Sequence, residues 1–153
     1  MKFRVIYLHS HDARSPIHII EQTTGWEVGW INRYLDREYV RRLADSTLRT
    51  YAYNLLHFVR WWESIHHTGD IVEGDLAEST LLDYVRFQSS QQPRPSASLI
   101  NDRVAVTDRA LRNQFPNAPC QVARGFSSSF FAAWTHGPGA PTAGNQPAAS
   151  EGT

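Results

Sequence analysis

The residues with the clearest chemical potential lie on one helical face between Ser46 and Trp62, in the segment STLRTYAYNLLHFVRWW. At a spacing of 3.6 residues, apolar side chains fall on one side of this segment and polar or basic side chains on the other. Guanidinium, hydroxyl and imidazole groups can hydrogen-bond to phosphate oxygens and base edges. The pattern therefore predicts a helix that packs with one face and is free to bind DNA with the other. The polar set is Arg49, Thr50, Tyr53, His57 and Arg60, and the apolar set is Leu48, Tyr51, Ala52, Leu55, Val59 and Trp62.

The start of this segment carries further polar groups. Asp45 or Ser46 is expected to cap the helix, because a side-chain oxygen there can accept a hydrogen bond from an amide of the first turn. Thr47 could reach a phosphate, since the free amides and the dipole of a helix N-terminus favour anions, or it could be a local cap. A solvated surface is the alternative interpretation of the whole polar face, and the sequence leaves it open.

A second set of candidate binding residues lies in an amphipathic segment that begins at Ser96 or Ser98 and is stopped by Pro116. Asn101 and Arg103 are expected on its exposed side, where they could hydrogen-bond to adenine and guanine edges respectively. Ser98, like Thr47 in the earlier helix, could contact a phosphate or cap the helix. The apolar positions, at spacings of three and four, are Ile100, Val104, Thr107, Leu111 and Phe115.

Charge is unevenly distributed along a chain whose formal net charge is zero. Residues 31–60 hold six Arg and three acids (+3), residues 61–92 one Arg and six acids (−5), and residues 93–124 five Arg and two acids (+3). A fold that joins the two basic segments would present a positive surface to DNA. Arg predominates over Lys, which suits bidentate phosphate or guanine contacts, although a GC-rich genome explains it equally well. Asp102 and Asp108 lie in the last segment, and acids facing phosphate would weaken binding.

Other reactive residue types do not form a catalytic or metal-binding pattern. His9, His11, His66 and His67 have no Cys beside them and no paired His-x-x-x-His spacing, so we expect no metal and no other cofactor. Cys120 cannot form an internal disulfide and lacks an activating neighbour, so it is not expected to be a catalytic thiol.

The elements that position these residues can be read from hydrophobic periodicity. Residues 3–8 and 17–21 predict a small β-hairpin, and periods of three and four then predict four helices in about 90 residues, a compact bundle. The helices are expected over residues 29–43, from Ser46, from Asp75 or Ser79, and from Ser96 or Ser98. The predicted organisation is an N-terminal hairpin extension (1–28), a helical DNA-binding domain (29–118), a linker (119–136) and a Gly, Pro, Ala and Ser-rich disordered tail (137–153).

Length and composition fit one ordinary domain with a tail. The chain has 153 residues, of which 41% are hydrophobic, so it can bury a core. Apolar runs are only a few residues long, and the N-terminus lacks the layout of a signal peptide. We therefore expect no membrane association and a cytoplasmic location.

Several of these residues, taken in order, resemble the core-binding domain of tyrosine recombinases, the phage-integrase family. The resemblance covers roughly residues 17 to 124 and implies a four-helix, SAM-like domain that clasps one side of a DNA duplex. It implies that the second and fourth helices lie in or along the major groove, and that intact relatives assemble as oligomers on DNA. The matching residues are Ser46-Thr47-x-x-Thr50-Tyr51, Leu55, Phe58, Trp61-Trp62, Asp75-Leu76 and Ser98-x-Ile100-Asn101-x-Arg103-Val104.

In that family, catalysis belongs to a second, C-terminal domain with an Arg, a Lys, a His-x-x-Arg pair and a nucleophilic Tyr. This chain ends before such a domain could fit, so no catalytic residue and no enzymatic activity are expected. Two His-x-x-Arg strings, His11 to Arg14 and His57 to Arg60, lie outside any such domain and are interpreted as coincidental.

Two alternatives to DNA binding stay open. In the first, the bundle serves protein association and Trp61, Trp62 and Tyr39 form an anchor patch. Adjacent helix positions cannot share a face, however, so at least Trp62 is expected in the core. In the second, the chain is the inactive product of a frameshifted integrase gene. Reverse translation from His136 with assumed GC-rich codons gives an Arg-rich segment in the shifted frame.

Overall fold

The N-terminal residues form a two-stranded antiparallel hairpin in a computed structural model that describes residues 1–9 and 14–118. Strand β1 (Phe3–Tyr7) pairs with β2 (Ile17–Glu21), so that Phe3 lies opposite Glu21 and Tyr7 opposite Ile17. β-Branched and aromatic residues favour this pleated conformation, as the sequence predicts. The predictions of a linker over 119–136 and a disordered tail over 137–153, and the frameshift hypothesis, concern residues outside the described part of the chain.

Four helices follow the hairpin within the described residues, which confirms the mainly helical prediction. They are α1 (Gly29–Val40), α2 (Asp45–His66), α3 (Thr80–Ser89) and α4 (Ala97–Gln114).

The observed ends of α1 and α2 differ from the predicted ones for local reasons. Helix α1 stops three residues early, and Arg42 then adopts a left-handed conformation with φ 69° that breaks the helical path. The residue preceding α2 is Ala44, which has no side-chain oxygen, so the predicted cap by Asp45 or Ser46 is wrong. Asp45 instead occupies the first turn, where a carboxylate complements the helix dipole. At the other end, α2 continues to His66 and closes with a left-handed His67.

The two later helices begin close to predicted positions. Helix α3 starts directly after Ser79, while Glu73–Asp75 forms a separate single 3-10 turn. Helix α4 is capped by Ser96, whose hydroxyl accepts a hydrogen bond from the Leu99 amide at 3.1 Å, so Ser98 is not the cap. It ends two residues before Pro116, as the proline predicts.

Helices α2 and α4 supply many of the residues of the hydrophobic core. The predicted apolar face of α2 is buried apart from Tyr51, which is half-buried, and the predicted α4 positions are buried apart from Phe115, which packs against the core. Helix α4 contacts α1, α2 and α3, and this central position buries a second set of its residues that the periodicity did not reveal, Val106 and Ala110. Phe58 lies among the rings of Trp30, Trp61, Trp62 and Tyr84 at centroid distances of 4.9–6.0 Å.

Buried polar side chains fix the hairpin to α1. Asn32 uses its amide to accept from the Ile19 amide at 2.8 Å and to donate to the Ile19 carbonyl at 2.9 Å, as a neighbouring strand would. His18, which is 1% exposed, makes a 2.7 Å hydrogen bond from Nε2 to Asp36. These bonds satisfy groups whose burial would otherwise destabilise the fold. Within residues 1–9 and 14–118, the helices are too short or too polar to cross a bilayer.

Candidate nucleic-acid interface

The outward side of α2 presents a stripe of polar side chains, which we call the α2 stripe: Arg49, Tyr53 and Arg60. All three are exposed, Tyr53 by 50%. Their spacings of four and seven residues place them on one side of the helix, and a rise of 1.5 Å per residue separates the ends by about 16 Å. This distance matches about five base-pair steps of 3.4 Å along one DNA strand.

Strand β1 lies alongside the α2 stripe and runs in the opposite direction. The Arg49 guanidinium lies over the Tyr7 ring at 5.8 Å, and Arg60 Nη2 donates a hydrogen bond to the Phe3 carbonyl at 3.2 Å. The hairpin therefore holds both cationic ends of the α2 stripe. A cation–π contact at an exposed site is worth about 0.5–1 kcal/mol, which orients Arg49 without removing its charge from solvent.

His57 lies at the edge of the α2 stripe and is half-buried. The Tyr84 hydroxyl lies 2.7 Å from His57 Nδ1. Burial, together with the positive charges of Arg103 and Arg60, lowers the pKa of His57 to about 4. Burial also raises the pKa of Tyr84, so its hydroxyl keeps its proton. A His57 ring in contact with DNA would therefore act at neutral pH as a hydrogen-bonding group without charge.

The two threonines at the start of α2 differ in their surroundings. Thr50 is exposed, and its hydroxyl donates to the Ser46 carbonyl at 3.1 Å, one turn earlier. Thr47 is half-buried, and its amide donates to the Ala44 carbonyl at 3.0 Å. Thr50 therefore lies on the accessible side near Arg49, whereas Thr47 is partly covered by the fold.

The α4 residues are placed differently from the prediction. Ser98 is exposed, but Asn101 and Arg103 are half-buried, so the expectation that they share an exposed side is wrong. The cause is the central position of α4, which is packed against three other helices. Arg103 Nη1 donates to the buried Gln88 of α3 at 3.2 Å, and Asn101 Oδ1 is buried without a hydrogen-bond partner. Among the nine residues predicted to bind DNA, Arg60 and Arg103 are close enough to His57 for their positive charges to lower its pKa.

The acids of α4 have opposite environments. Asp108 is 5% exposed and forms an ion pair with Arg112 one turn later, so it does not face solvent. Asp102 is exposed. Its carboxylate would oppose phosphate if this side of α4 approached DNA.

The tryptophan pair does not form a surface. Trp61 and Trp62 are 8% and 1% exposed, which confirms the core position expected of Trp62. Because both indoles are buried, the anchor patch that they were expected to form with Tyr39 is wrong. In the described part of the chain, no group of three or more His, Cys, Asp or Glu side chains is arranged to hold a metal ion.

Sequence reasoning missed the basic residues of the hairpin, Lys2 and Arg4. Both are exposed, while Phe3 between them is 4% exposed. Alternation of two cations around a buried aromatic was visible in the sequence. What the sequence could not show is that β1 lies against α2, beside Arg60.

No protein-family model matches this chain, and neither a curated protein nor a solved structure matches it.

Proposed function

We propose that this chain is a DNA-binding module that holds duplex DNA with the exposed side of α2. The observation that carries the proposal is the α2 stripe, in which two exposed arginines about 16 Å apart flank an exposed tyrosine. The proposed partner is double-stranded DNA, and no cofactor is needed for this activity.

The binding mechanism follows from the chemistry of the α2 stripe. Arg49 and Arg60 can each form bidentate hydrogen bonds with phosphate oxygens, and this releases condensed counterions. Tyr53 supplies an aromatic face and a hydroxyl, while Thr50 can add a hydroxyl near Arg49. Phosphate contacts fix position, so sequence discrimination would require base-edge contacts by residues such as Tyr53 or His57.

More specifically, we propose that the helices form the SAM-like core-binding bundle of a tyrosine recombinase. The support is the order of residues quoted above together with the four-helix architecture, in which α2 and α4 pack against each other. In this proposal the domain positions DNA, and strand cleavage belongs to the Tyr, Arg, Lys and His residues of a separate catalytic domain.

Two exposed arginines outside the α2 stripe have carboxylate partners. Arg41 and Arg86, which lie outside the α2 stripe, are paired with carboxylates of Glu38 and Asp83 at 3.9 and 3.6 Å. Such pairing reduces the positive potential that these arginines offer to phosphate. The arginines of the α2 stripe are instead held by a tyrosine ring and a backbone carbonyl, so their charges are retained.

Sedimentation of the chain with and without a duplex of about 20 base pairs tests the proposal. We expect the chain to co-sediment with the duplex at low salt, and Arg49→Gln combined with Arg60→Gln to abolish most of this shift. Arg41→Gln combined with Arg86→Gln removes the same charge and is the matched control. Self-association with no response to duplex would favour the protein-association alternative, and a monomer inert to duplex would favour an inactive gene product.

A further inference from the structure

A cleft of about 430 Å³ opens between the start of the hairpin and the second half of α2. Its lining includes Lys2, Phe3, Arg4, Gln22, Arg60 and Glu63. The first residues of β1 form one wall, α2 forms the opposite wall, and Gln22 closes the side that follows β2. Gln22 is held there because its backbone amide donates a hydrogen bond to the Lys2 carbonyl at 2.7 Å.

The cleft is cationic. Lys2, Arg4 and Arg60 contribute three positive charges, and the Glu63 carboxylate lies 4.0 Å from the ammonium group of Met1, which also lines the cleft. The nearby Glu21 carboxylate accepts hydrogen bonds from the Thr24 hydroxyl and amide and from the Thr23 amide, and these contacts lower its pKa to about 2. Those donors offset the charge of Glu21 inside the turn. The cleft therefore retains an excess of positive charge suited to an anion.

Two of these cations lie on the same side of β1. Side chains two positions apart in an extended strand point to the same side, so Lys2 and Arg4 share one face while the Phe3 ring is buried on the other. The Lys2 carbonyl still accepts a ladder-like hydrogen bond from Gln22, so the extended geometry includes Lys2. Both side chains are exposed and can reach a ligand without unfolding the hairpin.

Arg60 belongs both to the cleft and to the α2 stripe. Its hydrogen bond to the Phe3 carbonyl fixes the guanidinium at the junction of hairpin and helix. An elongated polyanion held by Arg49, Tyr53 and Arg60 would consequently continue toward Lys2 and Arg4, whereas a small anion would use the cleft alone.

We propose that this cleft binds a backbone phosphodiester of the DNA strand that the α2 stripe holds. The N-terminal hairpin would then extend the DNA contact beyond α2. This inference depends on the proposed function. In this cleft, Lys2, Arg4 and Arg60 would bind the phosphate group through charge-assisted hydrogen bonds, and the side chain of Gln22 would be a neutral hydrogen-bond donor. The hairpin is then a DNA-contacting element as well as a packing element.

The test compares Lys2→Gln combined with Arg4→Gln against the charge-matched control Arg41→Gln combined with Arg86→Gln. Duplex affinity is measured by fluorescence anisotropy between about 50 and 200 mM salt, after circular dichroism has shown equal melting temperatures. Each lost phosphate contact lowers the slope of log K against log salt by about 0.9. We expect the magnitude of the slope to fall by about one unit in the cleft variant and its affinity at low salt to fall about tenfold, with the control unchanged.

Two results would overturn the inference and leave the proposed function intact. One is a cleft variant that behaves as the control does while Arg49→Gln still weakens duplex binding. The other is saturable binding of inorganic phosphate that the cleft variant abolishes without changing duplex affinity, which would assign the cleft to a free anion. Absence of duplex binding by the unaltered chain would instead overturn the proposed function, and the inference with it.

Discussion

A hydrogen bond of 2.7 Å between the Tyr84 hydroxyl and Nδ1 of His57 joins α3 to α2 at the edge of the proposed DNA-binding surface. Burial and the charges of Arg103 and Arg60 lower the pKa of His57 to about 4, so the ring is neutral at pH 7. His57 is therefore a neutral ring that Tyr84 holds in position and that is influenced by two cations.

Stability is expected to fall between pH 6.5 and 4 because of His57. The folded pKa of about 4 lies below the ordinary value of 6.5, so the unfolded chain takes up the proton first as the pH falls. The loss begins near pH 6.5 and is complete below about pH 4. Urea unfolding at pH 7, 5.5 and 4.5 should show this decline in the unaltered chain and a shallower decline in His57→Gln. Parallel declines in the two proteins would contradict the assignment.

Glu21 is expected to produce a separate acid transition at lower pH. Hydrogen bonds from the Thr24 hydroxyl and amide, and from the Thr23 and Lys2 amides, lower its pKa from 4.5 to about 2. Its contribution to stability is therefore fully present above pH 4.5 and is lost as the pH falls toward 2. Thermal melts from pH 5 to pH 2 should show a smaller acid-induced decrease in melting temperature for Glu21→Gln. Thr23→Ala, which keeps the Thr23 amide donor, should retain the acid dependence.

Gly69 is expected to tolerate no larger residue. A Cβ at this position would lie 2.7 Å from the Phe3 ring, and the Gly69 carbonyl also accepts a hydrogen bond from the Trp30 indole at 3.0 Å. Gly69→Ala should reduce the free energy of unfolding by about 1–3 kcal/mol, since overpacking displaces the ring or the loop. Gly74→Ala is the matched control, because a Cβ at Gly74 meets no atom within 4 Å. Equal stabilities of the two variants in denaturant unfolding would contradict the packing described for this loop.

Arg109 is expected to stabilise the fold rather than bind DNA. Its Nε donates to the Tyr34 hydroxyl at 3.2 Å, and its guanidinium lies over the Tyr51 ring at 5.3 Å. Arg109→Ala should lower the free energy of unfolding by about 1–2 kcal/mol while leaving duplex affinity within about twofold. Arg49→Ala should instead weaken duplex binding and leave the free energy of unfolding nearly unchanged. Loss of duplex affinity in folded Arg109→Ala would show that the DNA-binding surface extends along α4.

Periodicity predicted the hairpin and the four helices because each has a one-sided apolar pattern, clearest in α2, where Leu48, Ala52, Leu55 and Val59 repeat at spacings of three and four. Periodicity failed where tertiary contacts determine whether a polar residue is exposed. Arg103 appears on a polar side of α4, yet α3 covers that side and supplies Gln88 as a partner. Likewise, the short-range sequence could not reveal that β1 runs beside α2.

The same distinction applies to the candidate site. Arg49, Thr50, Tyr53 and Arg60 are exposed, as a long amphipathic helix predicts for its polar side, whereas His57 of the same predicted face is half-buried against Tyr84. The participation of Lys2 and Arg4 depends on the packing of residues more than fifty positions apart in sequence, such as Phe3 and Arg60. No local pattern contains that information.

If the exposed side of α2 holds DNA, the arginines of the α2 stripe determine how duplex binding depends on salt concentration. Fluorescence anisotropy of a labelled duplex should give a linear plot of log K against log salt whose slope falls by about two when Arg49→Gln and Arg60→Gln are combined, since two phosphate contacts are lost. Arg41→Gln combined with Arg86→Gln should leave the slope unchanged. Equal slopes for the two charge-matched double variants, with both proteins folded, would contradict the claim that the exposed side of α2 holds DNA.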